Sequence, residues 1–219
     1  METLDKVLKG VEIVSIRHGG RTTVADVCYD SRACRPGALF TAVRGLRADG
    51  HRFVRQAVEN GAAFVVSERE VDVPPAVTAV RVADSRRALA RMSANFFGNP
   101  SREIRLIGVT GTSGKTTVTY LVESILRSAG HAAAVIGTVN YRYGGRTVPA
   151  PNTTPESTDL QRLLREMAAA GVTHGVMEVS SHALDLHRVH DCRFTAGVFT
   201  NLSQDHLDFH RTMEAYYES

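Results

Sequence analysis

The sequence predicts an α/β protein in two parts: a small α/β domain over residues 1–99, then a P-loop-type parallel-sheet domain over residues 100–219. Three observations predict it. Short apolar runs alternate with helix-patterned segments along most of the chain. A turn-rich stretch, GNPSRE at 98–103, interrupts that alternation. A glycine-rich loop, GTSGKTT at 111–117, joins an apolar run to a helix start.

In the first part, TTVADVCYD (22–30) and GALFTAV (37–43) read as strands. GHRFVRQAVENG (50–61) reads as a helix with Phe53, Val54, Ala57 and Val58 on one face and a stop at Gly61. AAFVV (62–66) and AVTAVRVA (76–83) follow as strands. DSRRALARMSANFF (84–97) is a helix with Asp84 as its N-cap. In the second part, IRLIGVT (104–110) is a strand, and the helix after the loop ends at Gly130. AAAVIG (132–137) is a strand, ESTDLQRLLREMAAAG (156–171) a helix, and THGVMEVS (173–180) and FTAGVFTNL (194–202) are strands. TMEAYYES (212–219) begins a helix that has no stop signal. That predicts a sheet domain still incomplete at Ser219 and a chain that is the N-terminal piece of a longer protein.

Composition narrows the function. Hydrophobic residues make up 43% of the 219, enough for packed cores, so disorder is excluded. A net charge of +3 without a basic block argues against a nucleic-acid partner. No apolar run approaches the roughly 18 residues of a membrane span. The start, METLDKVLKGVEIVSI, lacks a secretory layout. A cytoplasmic protein is expected, with Cys28, Cys34 and Cys192 as ordinary buried thiols at no zinc or redox spacing.

The loop carries the sharpest signal. Backbone N–H groups at a helix start lack intrahelical partners, and the helix dipole adds positive character, so an anion is favoured there. Gly111 and Gly114 admit close approach of phosphate oxygens. Lys115 adds a point charge, and Thr116 offers a hydroxyl to Mg²⁺. The chain has only three lysines, and Lys115 is the one beyond residue 9. The usual G-x-x-x-x-G-K-[ST] pattern would need glycine where Val109 stands, so Gly108 and Gly111 bracket a variant loop. A nucleoside triphosphate with Mg²⁺ is predicted; switch, kinase and ligase chemistry all remain open.

Three further segments bear polar groups at predicted strand or helix ends. In MEVSSHALDLHRV (177–189), Glu178 ends a strand and could hold Mg²⁺, or be a solvated acid. In TNLSQDHLDFH (200–210), Asp205, His206, Asp208 and His210 could ligate a second divalent ion. The bland readings are a capping or surface histidine for His206 and His210. Zinc is disfavoured for want of a third soft ligand. In PAPNTTPESTDLQ (149–161), Pro155 suggests a helix entry, and Asn152, Thr153 and Thr154 present short polar groups suited to a ligand or to a turn.

Five motifs together, YDSRACRPGALFTAVRGLRADGHRF (29–53), GVTGTSGKTT (108–117), NTTP (152–155), MEVSSHAL (177–184) and NLSQDHLDFH (201–210), resemble the Mur ligases from about residue 24 to the end. The resemblance implies a uridine-binding first domain and an ATPase second domain. It implies an ATP- and Mg²⁺-dependent amide-bond ligase of peptidoglycan precursor synthesis, expected to be a monomer. ATP would phosphorylate the terminal carboxylate of UDP-N-acetylmuramoyl-L-alanyl-D-glutamate. The amine of a diamino acid, meso-diaminopimelate or L-lysine, would then displace the phosphate. By the same resemblance, Gly111, Thr112, Ser113, Gly114, Lys115, Thr116 and Thr117 bind ATP, and Thr116, Glu178 and His206 hold metal. Lys115, Glu178 and His206 are the implied catalytic residues. Asn152, Thr153, Thr154, Ser180 and Arg188 meet the muramoyl dipeptide. Tyr29, Ser31, Leu46, Arg47 and Ala48 meet the uridine diphosphate.

Two departures accompany it. Leu186 stands where some members carry Gln. A carbamylated lysine that the family uses as a metal ligand falls just past Ser219, so residues 1–219 alone are expected not to turn over. The alternatives left open are a ligase of the MurF type and a non-catalytic module that binds UDP-linked precursors.

Overall fold

The structure, a computed structural model, describes residues 1–46 and 48–219. It forms two units, Met1–Gly98 and Asn99–Ser219, each with its own sheet and core. In the first unit β1 (Glu2–Thr3), α1 (Leu4–Val7), β2 (Ile13–Arg17), β3 (Thr23–Val24), β4 (Asp26–Cys28) and β5 (Ala38–Thr41) precede α2 (Val54–Glu59), β6 (Ala62–Ser67), β7 (Thr78–Val82) and α3 (Ser85–Phe96). The main sheet runs β2-β7-β6-β5-β4, parallel except for the edge strand β2. β1 and β3 form a separate two-stranded ribbon. Val27, Leu39, Phe64, Val66 and Val80 bury one sheet face against Leu89 and Met92 of α3. Asp84 caps α3 as expected, accepting from the N–H groups of Arg86 (2.8 Å) and Arg87 (3.0 Å).

Two expectations for this unit are corrected. TTVADVCYD is not one strand, because β3 turns away to pair with β1 while β4 joins β5. The segment 50–61 is a 3₁₀ turn over Gly50–Phe53 followed by α2. Asp49 accepts from the His51 N–H (3.0 Å) and binds its Nδ1 (2.6 Å), which tightens the turn. Phe53 thereby leaves the apolar face and is 40% exposed, while Val54 and Ala57 stay buried. Cys28 and Cys34 are buried, with sulfurs 2.9 Å apart.

The second unit begins with β8 (Arg105–Thr110), α4 (Lys115–Ser128) and β9 (Ala133–Ile136), then β10 (Asn140–Tyr143) and β11 (Arg146–Pro149). It continues through α5 (Ser157–Ala169), β12 (His174–Glu178), α6 (Ser181–Asp185), β13 (Phe194–Phe199), α7 (Leu207–His210) and α8 (Met213–Glu218). The sheet order is β11-β10-β9-β12-β8-β13, with β9, β12, β8 and β13 parallel. Leu160, Leu164 and Met167, spaced at helical intervals on α5, are fully buried against Leu106, Ile136 and Met177. Each such side chain contributes about 1.5–3 kcal/mol.

The antiparallel hairpin β10–β11 at one edge was not anticipated from the sequence. It is tied to α4 by Glu123, whose buried carboxylate pairs with Arg142 of β10 and with Arg127 at 3.0 Å. Helix α5 starts at Ser157, one residue after the expected start at Glu156. Glu156 is its N-cap, accepting from the Ser157 N–H at 3.1 Å, so the proline precedes the helix instead of opening it. Among the described residues no helix is long and apolar enough to cross a membrane.

Candidate functional site

Parallel strands place their carboxyl ends on one edge of the sheet, and ligands bind in the crevices there. In the second unit this edge carries the loop after β8, Thr138 after β9, Glu178 at the end of β12 and the segment after β13. One cavity of about 550 Å³ lies among them, lined by Lys115, Thr116, Glu178, Arg188 and His206, together with the loop Asn152–Thr154.

The loop has the backbone its glycines were expected to allow. Gly111 has φ +126°, and a Cβ there would lie 2.2 Å from Thr200 Oγ1 and 2.8 Å from the Asn201 carbonyl. Thr200 and Asn201, which follow β13, brace the loop. The Thr112 N–H donates to the Asn201 carbonyl (2.9 Å), and the Ser113 N–H to the Asn201 side chain (3.1 Å). Thr112 Oγ1 also contacts Tyr216 Oη at 3.0 Å, which ties α8 to the loop. Lys115 Nζ donates to the carbonyls of Gly111 (2.7 Å) and Thr112 (2.9 Å), so the ammonium is held over the loop. The first turn of α4 has glycine at its N-cap and no side chain to close it, leaving its amides for an anion.

Glu178 is the centre of the polar network. It is 1% exposed, which disposes of the solvated-acid reading. Its Oε2 accepts from Thr116 (2.9 Å) and Thr138 (3.0 Å), and its Oε1 accepts from the Thr138 N–H (2.9 Å). Among the described residues its donors are all neutral, and such a buried carboxylate suits a hard divalent cation. A threonine hydroxyl with a single carboxylate is the sparse protein donor set that Mg²⁺ accepts beside phosphate oxygens.

The remaining predicted residues divide by role. Thr154 is buried, donating to the Glu178 carbonyl (2.8 Å) and accepting from the Ser180 N–H (3.1 Å), so its hydroxyl locks the end of β12. Ser180 caps α6. Arg188 Nη1 donates to the Thr154 carbonyl (3.2 Å), and its Nε pairs with Glu156 at 3.4 Å. Asn152 accepts from Tyr141 through its carbonyl (2.5 Å), leaving its exposed side chain at the cavity. Thr153 meets Thr138, hydroxyl to hydroxyl, at 3.0 Å.

His206 sits at the start of α7 with φ +52° and is partly exposed, its Nδ1 3.6 Å from Asp205. His182 stacks edge-on to it, with ring centroids 4.8 Å apart. Burial, then the neighbouring His206 and His210, hold His182 below the usual imidazole range. His210 is buried, bonded to Ser181 (2.8 Å) and stacked on Tyr216, so it supports α8 and does not line the cavity. Among the described residues no group of three or more His, Cys, Asp or Glu is arranged to hold a metal.

In the first unit, Ser31 is buried, its hydroxyl donating to Gln56 (2.6 Å). Tyr29 packs partly against the core. Leu46 is 65% exposed, and the Ala48 carbonyl accepts from the Gly45 N–H (2.8 Å). Arg47 lies outside the described residues. Sequence reasoning missed Gly137 and Thr138. The available signal was a Gly-Thr pair directly after an apolar strand of a parallel sheet, where glycine marks a close approach.

Comparison with known proteins identifies the family. Residues 109–219 match the Mur ligase middle domain, and residues 23–97 match the Mur ligase family catalytic domain. A curated relative from Geobacter metallireducens is 53% identical over 190 residues, covering 87% of this chain. It is named UDP-N-acetylmuramoyl-L-alanyl-D-glutamate–2,6-diaminopimelate ligase, and the chain spans 37% of its length. A solved structure of a ligase of the same name superposes with a TM-score of 0.82 at 31% identity, covering 99% of this chain and 43% of that one. The MurF ligase from Thermotoga maritima, solved in complex with ADP, has a TM-score of 0.60 at 25% identity, with 88% and 41% covered. With its middle-domain match alone extending over half of its residues, the chain belongs to the Mur ligase family.

Proposed function

We propose that this chain is the precursor- and nucleotide-binding part of an ATP-dependent ligase. The whole enzyme adds a diamino acid to UDP-N-acetylmuramoyl-L-alanyl-D-glutamate in cytoplasmic peptidoglycan precursor synthesis. The relatives' names favour 2,6-diaminopimelate as that amino acid. The observation that carries the reading is the 2.9 Å bond between Thr116, next to the loop lysine, and the buried Glu178.

Gly111–Thr117 would cradle the ATP phosphates, with Lys115 drawn from the loop carbonyls onto the outer phosphates. Thr116 and Glu178 would hold one Mg²⁺, and Glu178 with His206 a second; bound there, the metal neutralises phosphate charge. Asn152, Thr153, Ser180 and Arg188 would orient the dipeptide so that its terminal carboxylate meets the γ-phosphate. Such alignment is worth several kcal/mol of barrier on the order of magnitude known for positioned reactants. Thr154 would act by holding that loop to β12. Tyr29, Ser31, Leu46, Arg47 and Ala48 would take the uridine diphosphate.

The test is phosphate release by the full-length product of this gene. Release is expected with ATP, the UDP-dipeptide and diaminopimelate. Release only with the UDP-tripeptide and D-alanyl-D-alanine would instead support a MurF-type ligase. Precursor binding without any release would support a non-catalytic module.

A further inference from the structure

We infer that Thr138 is a positioning residue that links the precursor-binding loop to the metal carboxylate through one directed chain of hydrogen bonds. The inference rests on the proposed roles of Glu178 and Thr153. Thr138 follows β9 and touches Glu178 twice, through its N–H to Oε1 (2.9 Å) and its hydroxyl to Oε2 (3.0 Å). Its hydroxyl also meets Thr153 Oγ1 at 3.0 Å. A hydroxyl has a single hydrogen, and an ionised carboxylate only accepts. The Thr138 hydrogen therefore points at Glu178, and the Thr153 hydroxyl must donate to Thr138.

The direction has a chemical consequence. Thr153, which lines the cavity, has its hydrogen committed and keeps its two lone pairs to accept. It would welcome a donor from the ligand, an amide N–H or a sugar hydroxyl. A phosphate or carboxylate oxygen would have to take the hydrogen away from Thr138. A donor at Thr153 polarises the chain and strengthens its last bond, and with the Thr138 N–H on the other oxygen this holds the Glu178 carboxylate in a fixed orientation for a metal. Precursor binding and metal binding should then favour one another, reciprocally. Gly137 makes the arrangement possible, since a Cβ there would lie 2.3 Å from Glu178 Oε1.

The test uses the full-length protein with Mn²⁺ as the probe, bound with a non-hydrolysable ATP analogue and read by electron paramagnetic resonance. Titrations are run with and without UDP-N-acetylmuramoyl-L-alanyl-D-glutamate. In Thr138→Val, Mn²⁺ affinity should fall about 10- to 100-fold, the usual effect of removing a partner of a metal ligand. Thr138→Ser should restore it to within about threefold, since it keeps the hydroxyl. In the unmodified protein the precursor should tighten Mn²⁺ by about fivefold or more. That factor should fall to near one in Thr138→Val, in Thr153→Val and in the double variant alike. Undiminished Mn²⁺ affinity and an intact coupling factor in Thr138→Val overturn the inference. Failure of the unmodified protein to bind Mn²⁺ with nucleotide overturns the reading of Glu178 itself, and is a separate result.

Discussion

Glycine at position 137 is explained by one side chain, and that makes its replacement informative. The three atoms nearest a Cβ at Gly137 all belong to Glu178: Oε1 at 2.3 Å, Cδ at 3.0 Å and Cγ at 3.2 Å. Ordinary contact starts at 3.4 Å, so in Gly137→Ala the carboxylate oxygen must retreat by about 1.1 Å. The bond from the Thr138 N–H, now 2.9 Å, cannot survive that movement. Hydrogen bonds to charged groups contribute about 1.5–3 kcal/mol. Against this, alanine restricts the unfolded chain and returns about 0.4–1 kcal/mol. The net expectation is a loss of about 1–2 kcal/mol. In a Glu178→Ala background the obstacle is gone, and the same Gly137→Ala change should stabilise by about 0.4–1 kcal/mol. Chemical denaturation of the four proteins gives the cycle, with a coupling energy of about 1.5–3 kcal/mol. Equal destabilisation in both backgrounds would refute the reasoning, because the conflict would then lie in the backbone and not in the carboxylate.

Other outcomes follow from the same structure. Gly111→Ala meets backbone and side-chain atoms of Thr200 and Asn201 at φ +126°, and should cost about 2–4 kcal/mol in denaturation experiments. Glu123→Ala strands Arg142 beside α4, and should lower unfolding free energy by about 2–4 kcal/mol, with Glu123→Gln intermediate. His174 is held below the usual imidazole range by burial, then by His131 and Arg105. Its neutral form is the folded one, so the unfolded chain binds the extra proton below about pH 6.5. Stability should therefore be complete above that pH and decline as pH falls towards 5.5; the decline should be shallower in His174→Gln, as thermal melts across that range will show.

The local devices of the fold were readable because they are written in neighbouring residues. Asp84 lies two and three residues from the amides it caps, and the glycine-rich loop at 111–117 lies within one strand-loop-helix unit. The hairpin β10–β11 was legible only in its first half, where Tyr141 and Tyr143 alternate with polar residues before the Gly144-Gly145 turn; its second strand, Arg146–Pro149, is exposed and carries no apolar run. Phe53 was misplaced because a capping carboxylate, Asp49, outweighed apolar periodicity. The site shows the same division. Lys115 and Thr116 could be named from their loop, but Thr138 touches Glu178 only because β9 and β12 are adjacent, forty positions apart in the chain. The roles of Thr154 and His210 likewise depend on long-range partners, the Glu178 carbonyl and Ser181, that no local pattern announces.

In the proposed reading, the Lys115 ammonium and the open amides of α4 hold a triphosphate beside Glu178. Calorimetric titration of ATP with Mg²⁺ into the full-length protein and its Lys115→Met variant tests it most directly. Mg²⁺-dependent binding is expected in the first and a loss of about 10- to 100-fold in the second, with thermal stability little changed. Equal affinity in the two proteins would contradict it.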